Sequence, residues 1–520
     1  MNEVRNIETG GGGSGRGHKA VSTEGATPHA HSELPLGLSR RFILFNLLAA
    51  LLLSWPLLAF GSPSYIQDSA AYYKGGRAAV SFALAKVDGP NVVAPSAPTN
   101  HSSGRPAPPP ENAAENASGV RSITYSVVAY LLSAPGGTLL LLAIAQALAA
   151  GTLMVATIGA FGGLPTRRTV LALILLAGTT TAATTAYFAV PDIFAGLLIG
   201  FMTLLTVAWS RLSMTLRLLC AGIAVFAATA HASHIPIAAG MTILGLCWIA
   251  IRHHYKRPVP RWTWVWVIAP LALGGLTTLA VNTVAFGEVS MTAKRYPFAL
   301  ARSVNDGPAR WYLEKNCSKL RYAICEVYPH GLPKGGALEF LWGKDGVVER
   351  STPEQLDRIR AEEADLVLAA AREYAGQEAG RLTINIGRQL INFRPYPFVE
   401  RLVLDDTGSP QLVSAPKSNE WVLTAVFIVT AISVAIGTAW LGRAFFVRRS
   451  LRPVIALMFL GVLGNAATCA LLSAVANRYQ ARVVWLIPLF ALALGGPLIG
   501  RRSDEGENPP PDAAPVRRQT

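Results

Sequence analysis

The chain alternates between apolar blocks of about twenty residues and shorter polar segments. The blocks contain almost no charged residues, and a helix of about twenty residues spans the roughly 30 Å hydrocarbon core of a bilayer. This pattern predicts ten transmembrane helices, at 42–61, 137–157, 169–189, 193–209, 215–232, 236–251, 262–284, 420–441, 453–475 and 483–500. The fold class that it indicates is an all-α polytopic membrane protein.

Two long polar segments separate these predicted helices. The first, a large outer loop at 62–136, contains a stretch rich in Pro, Ala and Asn at 88–118. The second is long enough for a small α+β domain outside the cytosol. The predicted organisation is a disordered cytoplasmic tail, a seven-helix module, an extracytoplasmic domain, a three-helix module and a second disordered cytoplasmic tail, at 1–40, 41–286, 287–419, 420–500 and 501–520.

Composition and charge agree with this class. Charged residues make up 15% of the 520 residues and hydrophobic residues 51%, whereas an average soluble domain has about 25% charged residues. The net charge is +15, and the basic residues cluster at the ends of apolar blocks rather than on one polar face. These clusters are Arg40/Arg41, Arg167/Arg168, Arg211/Arg217, Arg252/Lys256/Arg257, Arg448/Arg449/Arg452 and Arg501/Arg502.

With ten helices, every one of these clusters falls on the same side of the membrane. By the positive-inside rule, that side is the cytoplasm. The distribution therefore predicts a multi-pass protein of the inner (cytoplasmic) membrane with both termini cytoplasmic. It also argues against nucleic acid as a partner and leaves the lipid bilayer as the predicted surroundings.

Two of the five cysteines, Cys317 and Cys325, lie in the polar segment that is predicted to be outside the cytosol. No histidine or further cysteine stands near them at the spacing of zinc ligands. A disulfide is the expected state in an oxidising compartment. Closing so short a loop is expected to stabilise the segment by about 2–3 kcal/mol.

Two acidic residues stand close to the predicted outer ends of helices. Asp68 follows the first predicted helix, and Asp192 lies between two apolar blocks. Ionisable groups at the membrane are costly, so each is a functional candidate. A pair of carboxylates can bind a divalent cation, or divide into a general base and a cation ligand. The alternative is helix capping, by Asp68 itself or Ser69 and by Asp192 at the start of the fourth helix.

His231 and His234 are a second candidate pair. Their spacing of three residues predicts that both lie on one helix face. In that arrangement they could assist in binding a metal or a phosphate, although a metal site usually needs a third ligand. A polar turn between two short helices is the alternative.

A third candidate group consists of Arg478, Tyr479 and Arg482 at the predicted outer end of the ninth helix, together with Arg121 in the first outer loop. These arginines depart from the positive-inside pattern. Guanidinium groups at such a position can hold a lipid-linked phosphate or pyrophosphate through paired hydrogen bonds. The alternative is that they extend towards lipid headgroups.

This arrangement resembles the GT-C glycosyltransferases, polytopic membrane enzymes that use polyprenyl-phosphate sugars outside the cytosol. The resemblance rests on a first helix followed by a large outer loop with an early acidic residue, Asp68, on a return near 121–134, and on a second acidic residue, Asp192, at the fourth helix. In that family the first carboxylate is the proposed catalytic base, and the second helps to hold metal or donor phosphate. Here Asp68 is followed by Ser69, where the family usually has an Asp-Glu pair.

The resemblance implies transfer of a sugar from a polyprenyl-phosphate donor to an envelope glycan or lipid acceptor. Asp68 would be the base, and Arg478 and Arg482 would stabilise the leaving phosphate. A divalent cation at Asp68 and Asp192 is left open. Two other classes also remain open: a transporter or flippase for lipid-linked glycans, in which broken helices and internal repeats are expected, and a non-catalytic assembly or sensory subunit. Convergence of Asp68, Asp192 and Arg478 would favour the enzyme.

Overall fold

The computed structural model describes residues 35–87, 121–133, 138–257, 259–405, 408–415 and 419–495. The predicted tails at 1–40 and 501–520 lie largely or wholly outside these residues, as does the stretch at 88–118.

The described residues before 287 form helices throughout. In chain order these are α1 (Arg40–Leu53), α2 (Trp55–Phe60), α3 (Gln67–Val87), α4 (Ile123–Leu131), α5 (Leu140–Gly162), α6 (Thr166–Thr179), α7 (Ala182–Ala186), α8 (Ile193–Val207), α9 (Met214–Ala230), α10 (His234–His254) and α11 (Thr263–Phe286). A short 3₁₀ turn, Trp209–Arg211, separates α8 from α9.

The remaining described residues add shorter helices, one hairpin and a second group of apolar helices. These elements are α12 (Phe298–Asp306), α13 (Pro308–Asn316), α14 (Ala323–Val327), α15 (Ala337–Trp342), α16 (Val347–Arg350), α17 (Pro353–Glu373), α18 (Ala375–Ile391), β1 (Glu400–Leu404), β2 (Pro410–Ser414), α19 (Glu420–Val447), α20 (Arg452–Leu472), α21 (Arg478–Val484) and α22 (Leu486–Ala493). Strands β1 and β2 pair antiparallel, with Leu402 opposite Leu412.

Among the described residues, six helices are long and apolar enough to cross a membrane. They are the continuous pair α1–α2, then α5, α10, α11, α19, and α20 with its preceding turn. Helices α8 and α9 are apolar but shorter, with 15 and 17 residues. The predicted helix at 169–189 is divided at Thr180, whose backbone is extended, and the predicted helix at 483–500 is divided near Trp485. The helices therefore indicate a mostly helical membrane protein, with six long spans in the described part of the chain.

Helix α8 forms the centre of the bundle. All of its residues except Val207 are buried, and it packs on α5, α9, α10, α11, α20 and α21. Gly196 and Gly200 explain how the neighbours come so close. A Cβ atom at Gly196 would lie 2.6 Å from the carbonyl oxygen of Arg482, and one at Gly200 would overlap Leu153. Small residues at this spacing allow helix backbones to approach each other directly.

The basic cluster at Arg211 and the acidic candidate Asp192 lie at opposite ends of this bundle. The backbone N–H of Leu36, just before α1, donates to the carbonyl of Arg211 at 2.8 Å. The guanidinium of Arg211 donates to the carbonyl of Ala160, near the end of α5, at 3.0 Å. Arg211 follows the end of α8, whereas Asp192 precedes its start, so about 22 Å of helix separates them. The segregation of charge along the chain thus corresponds to two distinct ends of the structure.

Residues 298–370 enclose a second hydrophobic core, built around side chains such as Leu300, Phe340 and Ile359. The buried carboxylate of Glu363 in α17 accepts hydrogen bonds from the backbone N–H groups of Ala299 (2.7 Å) and Leu300 (3.0 Å). Because the first N–H groups of a helix lack partners within it, this carboxylate satisfies and stabilises the start of α12.

The hairpin that follows belongs to the other core. Leu402 of β1 is buried in the same cluster as the apolar helices, and β2 packs on α3. The predicted α+β domain at 287–419 therefore has a helical part with its own core and a hairpin that joins the bundle. Cys317 and Cys325 are joined by a disulfide within the helical part, with 5.5 Å between their Cα atoms.

Candidate active site

A short parallel bridge aligns the segments that carry the two acidic candidates. The N–H of Ser64 donates to the carbonyl of Tyr187 at 2.8 Å, and the N–H of Ala189 donates to the carbonyl of Ser64 at 2.9 Å. Ser64 is therefore opposite Phe188. Asp68 lies four positions after Ser64, and Asp192 lies four positions after Phe188. The bridge therefore brings together the two segments that lead into these carboxylates.

The bridge is held from inside the bundle by Gln146, a buried residue of α5. Its side-chain amide donates to the carbonyls of Ala186 (2.8 Å) and Phe188 (3.0 Å) and accepts from the hydroxyl of Tyr125 (3.0 Å). Buried backbone carbonyls outside a helix need such partners. Gln146 thus fixes the backbone that precedes Asp192.

Asp68 lies in the first turn of α3, between two arginines. Arg121 Nη2 donates to Asp68 Oδ1 at 2.7 Å, and Arg478 donates to Asp68 Oδ2 at 3.4 and 3.5 Å. The Asp68 side chain is 35% exposed and the two arginine side chains 21% each. Burial alone would raise the pKa of Asp68, but the positive charges of Arg478 and Arg121 hold it below its usual range. The local hydrogen bond at this helix start is made by Ser69, whose hydroxyl accepts from Ile66 N–H at 3.2 Å.

Arg121 is positioned by the packing of α3 on α4. The hydroxyl of Ser122 caps α4 by accepting from Tyr125 N–H, which places Arg121 directly before the helix. A Cβ atom at Gly76 would overlap the carbonyl of Ser126, so glycine is required for this close contact. Tyr72 and Tyr125 then pack edge to face, with their ring centres 4.8 Å apart.

Asp192 forms a different kind of pair. Arg482 Nη1 donates to its Oδ1 at 3.3 Å, and the two side chains are only 0% (Arg482) and 5% (Asp192) exposed. Asp192 stands at the N-cap position of α8, but its carboxylate does not cap the helix. Arg482 also donates to Asn465 Oδ1 (2.8 Å), Ser233 Oγ (3.2 Å) and Cys469 Sγ (3.2 Å).

The burial of Arg482 argues against the expectation that it binds phosphate directly or extends towards lipid headgroups. A fully buried guanidinium whose N–H groups already have partners cannot reach a headgroup without breaking this network. Arg478, one helical turn earlier, is the partly exposed member of the pair. The two guanidinium carbons lie 5.1 and 5.2 Å from the ring centre of Tyr479. One turn of α21 therefore links the Asp68 cluster to the Asp192 cluster.

The two histidines do not share a helix face, contrary to the prediction from their spacing. His231 ends α9 with an extended backbone (φ −153°, ψ 145°), and α10 begins only at His234. Their rings nevertheless lie 5.5 Å apart. His234 Nδ1 is 2.6 Å from the carbonyl of Ala227 and so carries the proton that it donates. This places the histidines in the turn beside the arginine network, where Ser233 joins them to Arg482.

The carboxylates do not fit a divalent cation in this arrangement. Asp68 is paired with two guanidinium groups and Asp192, through Oδ1, with one, so an arginine already balances the negative charge of each carboxylate. In the described part of the chain, no three His, Cys, Asp or Glu side chains are grouped as metal ligands. We therefore derive no chemistry from a metal.

A large groove adjoins this cluster. It has a volume of about 1230 Å³ and is lined by α3, α4, the end of α11 and residues between 294 and 360. Its walls are mainly apolar, with Ala78, Phe82, Val281 and Val284 among them, and Arg121 is part of its lining. A smaller cavity of about 40 Å³, lined by His231 and Asn282 among others, also includes Arg121.

Three positioning residues were not identified from the sequence. Gln389 of α18 both donates to the carbonyl of Ala476 (2.8 Å) and accepts from its N–H (3.0 Å), just before Arg478. Asn465 holds Arg482, and Gln146 holds the bridge. Gln146 and Asn465 each stand as an amide side chain within an apolar block, and this feature of the sequence could have identified them.

No family model matches the chain, and no curated protein or solved structure matches it.

Proposed function

We propose that this protein is a membrane glycosyltransferase that moves a sugar from a polyprenyl-phosphate donor to an envelope glycan or lipid on the extracytoplasmic side. One observation carries the proposal. A half-exposed carboxylate, Asp68, and two arginines, Arg121 and Arg478, meet where Arg121 also lines a large apolar groove. A base, two cations that can bind phosphate and a site for a long apolar chain are the parts that such a reaction needs.

The groove supports a lipid donor in particular. Part of its wall belongs to α11, which is long and apolar enough to cross a membrane. Val284 on this helix is 64% exposed, so a lipid chain can pass from the bilayer along α11 into the groove. Lys74, Lys294 and Arg360 also line it and outnumber the carboxylate of Asp357, which pairs with Lys294 and Arg360. An apolar chain with an anionic end matches these surfaces.

In the proposed reaction, Asp68 removes the proton from an acceptor hydroxyl. The oxygen attacks the anomeric carbon of the sugar, and the bond from that carbon to the donor phosphate breaks. The electron pair of that bond goes to the phosphate, which leaves as a polyprenyl phosphate. A single direct displacement inverts the configuration at the anomeric carbon. No covalent intermediate between sugar and protein is involved.

Arg121 and Arg478 would stabilise the charge that develops on the leaving phosphate. Fixed cations aimed at developing charge are usually the largest contribution to such catalysis. The buried Arg482 and Asp192 are proposed as a brace that sets the position of α21, and so of Arg478 and Tyr479. Arg482 itself is buried and is given no direct contact with the donor phosphate in this proposal.

The proposal includes the topology. Ten crossings, with α8, α9, α6–α7 and α21–α22 as short or interrupted crossings, place the basic clusters in the cytoplasm and the site outside. The segment at 287–419 then lies outside and shapes the acceptor site. A reporter fused after Gly408 is expected to be active if it requires the extracytoplasmic compartment. Activity there of a reporter that works only in the cytosol would overturn the topology and place Asp68 on the wrong side.

A second candidate, a flippase for lipid-linked glycans, is favoured by one observation. The break between α6 and α7 packs against α21, part of a second interrupted helix, where the hydroxyl of Thr181 donates to the carbonyl of Ala481 at 2.6 Å. Interrupted helices are frequent in transporters. Their position beside Asp192 fits a rigid support for the site equally well, and the convergence of Asp68 with two arginines favours the enzyme.

Profiling of lipid-linked sugars in cells that lack the protein tests these functions. The transferase predicts an accumulated donor lipid together with a glycan or lipid that lacks one sugar. Purified protein in liposomes should then form the glycosidic bond from that donor. If the donor crosses the bilayer without any bond being formed, the flippase is correct. If neither lipid nor glycan changes, both proposals fail and a non-catalytic subunit remains.

A further inference from the structure

Two guanidinium groups converge on a single carboxylate in the site, one on each oxygen. Arg121 engages Asp68 Oδ1, and Arg478 engages Asp68 Oδ2. The arginines come from distant parts of the chain, 53 and 410 positions from Asp68. A phosphate ester presents negatively charged oxygens in a similar way, and arginine recognises both groups through the same N–H···O bonds. The carboxylate therefore occupies the position that an anionic ligand of these arginines would take.

The ion pairs that Asp68 makes with the two arginines can be replaced by pairs with another anion. All three side chains remain partly exposed, at 35% for Asp68 and 21% for each arginine. Ion pairs with such access to water contribute little individually. The Asp192–Arg482 pair, with exposures of 5% and 0%, lacks this access. An entering anion can therefore compete at Asp68 and not at Asp192.

We infer that Asp68 is an internal competitor for a phosphate ester. In the resting protein its carboxylate fills the anion site formed by Arg121 and Arg478, and a phosphate ester that enters from the groove displaces it. The role of Asp68 as a base after displacement rests on the proposed function. The competition for the two arginines does not.

Displacement has a chemical consequence. While it is paired with two cations, the Asp68 carboxylate is a weak proton acceptor, because positive charge nearby favours its ionised form. When phosphate neutralises the arginines, the carboxylate becomes a stronger base. The base is thus activated only when the donor is present. After transfer, Asp68 gives its proton to water, which reaches its partly exposed side chain. The carboxylate then competes again for the arginines and helps the phosphate to leave.

The test measures binding by the full-length protein in detergent, with farnesyl phosphate, farnesol and inorganic phosphate as probes. Asp68→Asn removes the internal anion and keeps the shape of the side chain. It is expected to bind farnesyl phosphate about three- to thirtyfold more tightly, the range for losing two partly exposed ion pairs. Farnesol affinity should not change. Equal or weaker binding of farnesyl phosphate by Asp68→Asn overturns the inference.

The other probes and variants sharpen the result. Tighter binding of inorganic phosphate as well would assign the site to the phosphate group alone, whereas a gain limited to farnesyl phosphate would show that the groove contributes. Arg478→Ala combined with Asp68→Asn should abolish the gain, because one of the two cations is then missing. Persistence of the full gain in this double variant counts against the proposed site.

Glu326→Gln is the matched control, since Glu326 is also paired with an arginine, Arg358, at 2.8 and 2.9 Å, on the helical part around the second core. It should leave binding of all three probes unchanged. Asp68→Ser serves as a second charge-removing variant if Asp68→Asn is poorly folded. If Asp68→Asn binds farnesyl phosphate more tightly but transfers sugar normally, Asp68 is a competitor for the arginines and not the base. If the variant loses sugar transfer but binds farnesyl phosphate as the unaltered protein does, Asp68 is the base and not a competitor.

Discussion

The two acid–arginine clusters of this protein contain the same functional groups in different surroundings. At Asp68 the carboxylate meets two arginines and all three side chains are partly exposed. At Asp192 a single, wholly buried arginine is also bound by Asn465, Ser233 and Cys469. The difference shows how burial assigns the role of an ion pair. A pair that water reaches can exchange its partners, whereas a buried pair is fixed because an unpaired charge would be left in an apolar interior.

The largest difference between the clusters is expected in sugar transfer. Asp68→Asn should reduce transfer by about 10²–10⁴-fold, the range for loss of a general base. The amount of protein in the membrane should stay near normal, because the Asp68 side chain is partly exposed. Transfer assays at matched protein level test this, with Glu326→Gln as the control. Near-normal transfer by Asp68→Asn would contradict the catalytic role.

Substitutions in the buried Asp192–Arg482 pair are expected to lower the stability of the folded protein. Arg482→Met leaves Asp192 without its partner, and removal of one member of a buried pair costs about 3–5 kcal/mol. We expect a large loss of folded protein and a lower unfolding temperature in detergent.

Replacing both members of this pair provides the matched comparison. Asp192→Leu combined with Arg482→Met removes both charges and should recover part of the lost stability, since no unpaired charge remains. Equal thermal stability of Arg482→Met and the unaltered protein would show that this pair is not a brace.

A smaller effect on sugar transfer is expected at Gln389, which joins α18 to the segment before α21. Gln389→Ala removes two hydrogen bonds to Ala476, two positions before Arg478. Because displacement of a catalytic group by about 1 Å can cost as much as 10²-fold in rate, we expect transfer to fall by about 10- to 100-fold. Gln355→Ala, which removes one hydrogen bond of the capping box at the start of α17, should leave transfer unchanged. Comparable losses in both variants would argue against a specific role for Gln389.

The smallest effect on chemistry is expected at the disulfide. Replacing Cys317 and Cys325 by serine should destabilise the helical part around the second core by about 2–3 kcal/mol. Transfer at low temperature should be retained, because neither residue belongs to the acid–arginine clusters. Mass spectrometry of unreduced peptides checks the bond in native membranes. Two freely alkylated thiols there would refute it.

The two clusters also show which features of the site could be predicted from the positions of residues in the sequence. Charged residues near the ends of apolar blocks were recognisable as candidates, and Asp68, Arg121 and Arg478 do lie together. The burial of Arg482, which argues against direct phosphate binding, could not be predicted because spacing along the chain does not reveal depth. The shared helix face of His231 and His234 was wrong because α9 ends before them, at Ala230.

The sequence by itself determined the class and the segregation of charge. Apolar blocks of membrane length and basic residues at their ends are local patterns, and local patterns specify helices and the ends at which charges lie. The tertiary structure alone decided which charges pair. Asp68 and Arg478 are 410 positions apart, and Asp192 and Arg482 are 290 apart. Such pairs depend on glycines that let helices touch and on amides such as Gln389 that fix loops, and these contacts join parts of the chain that no periodicity connects.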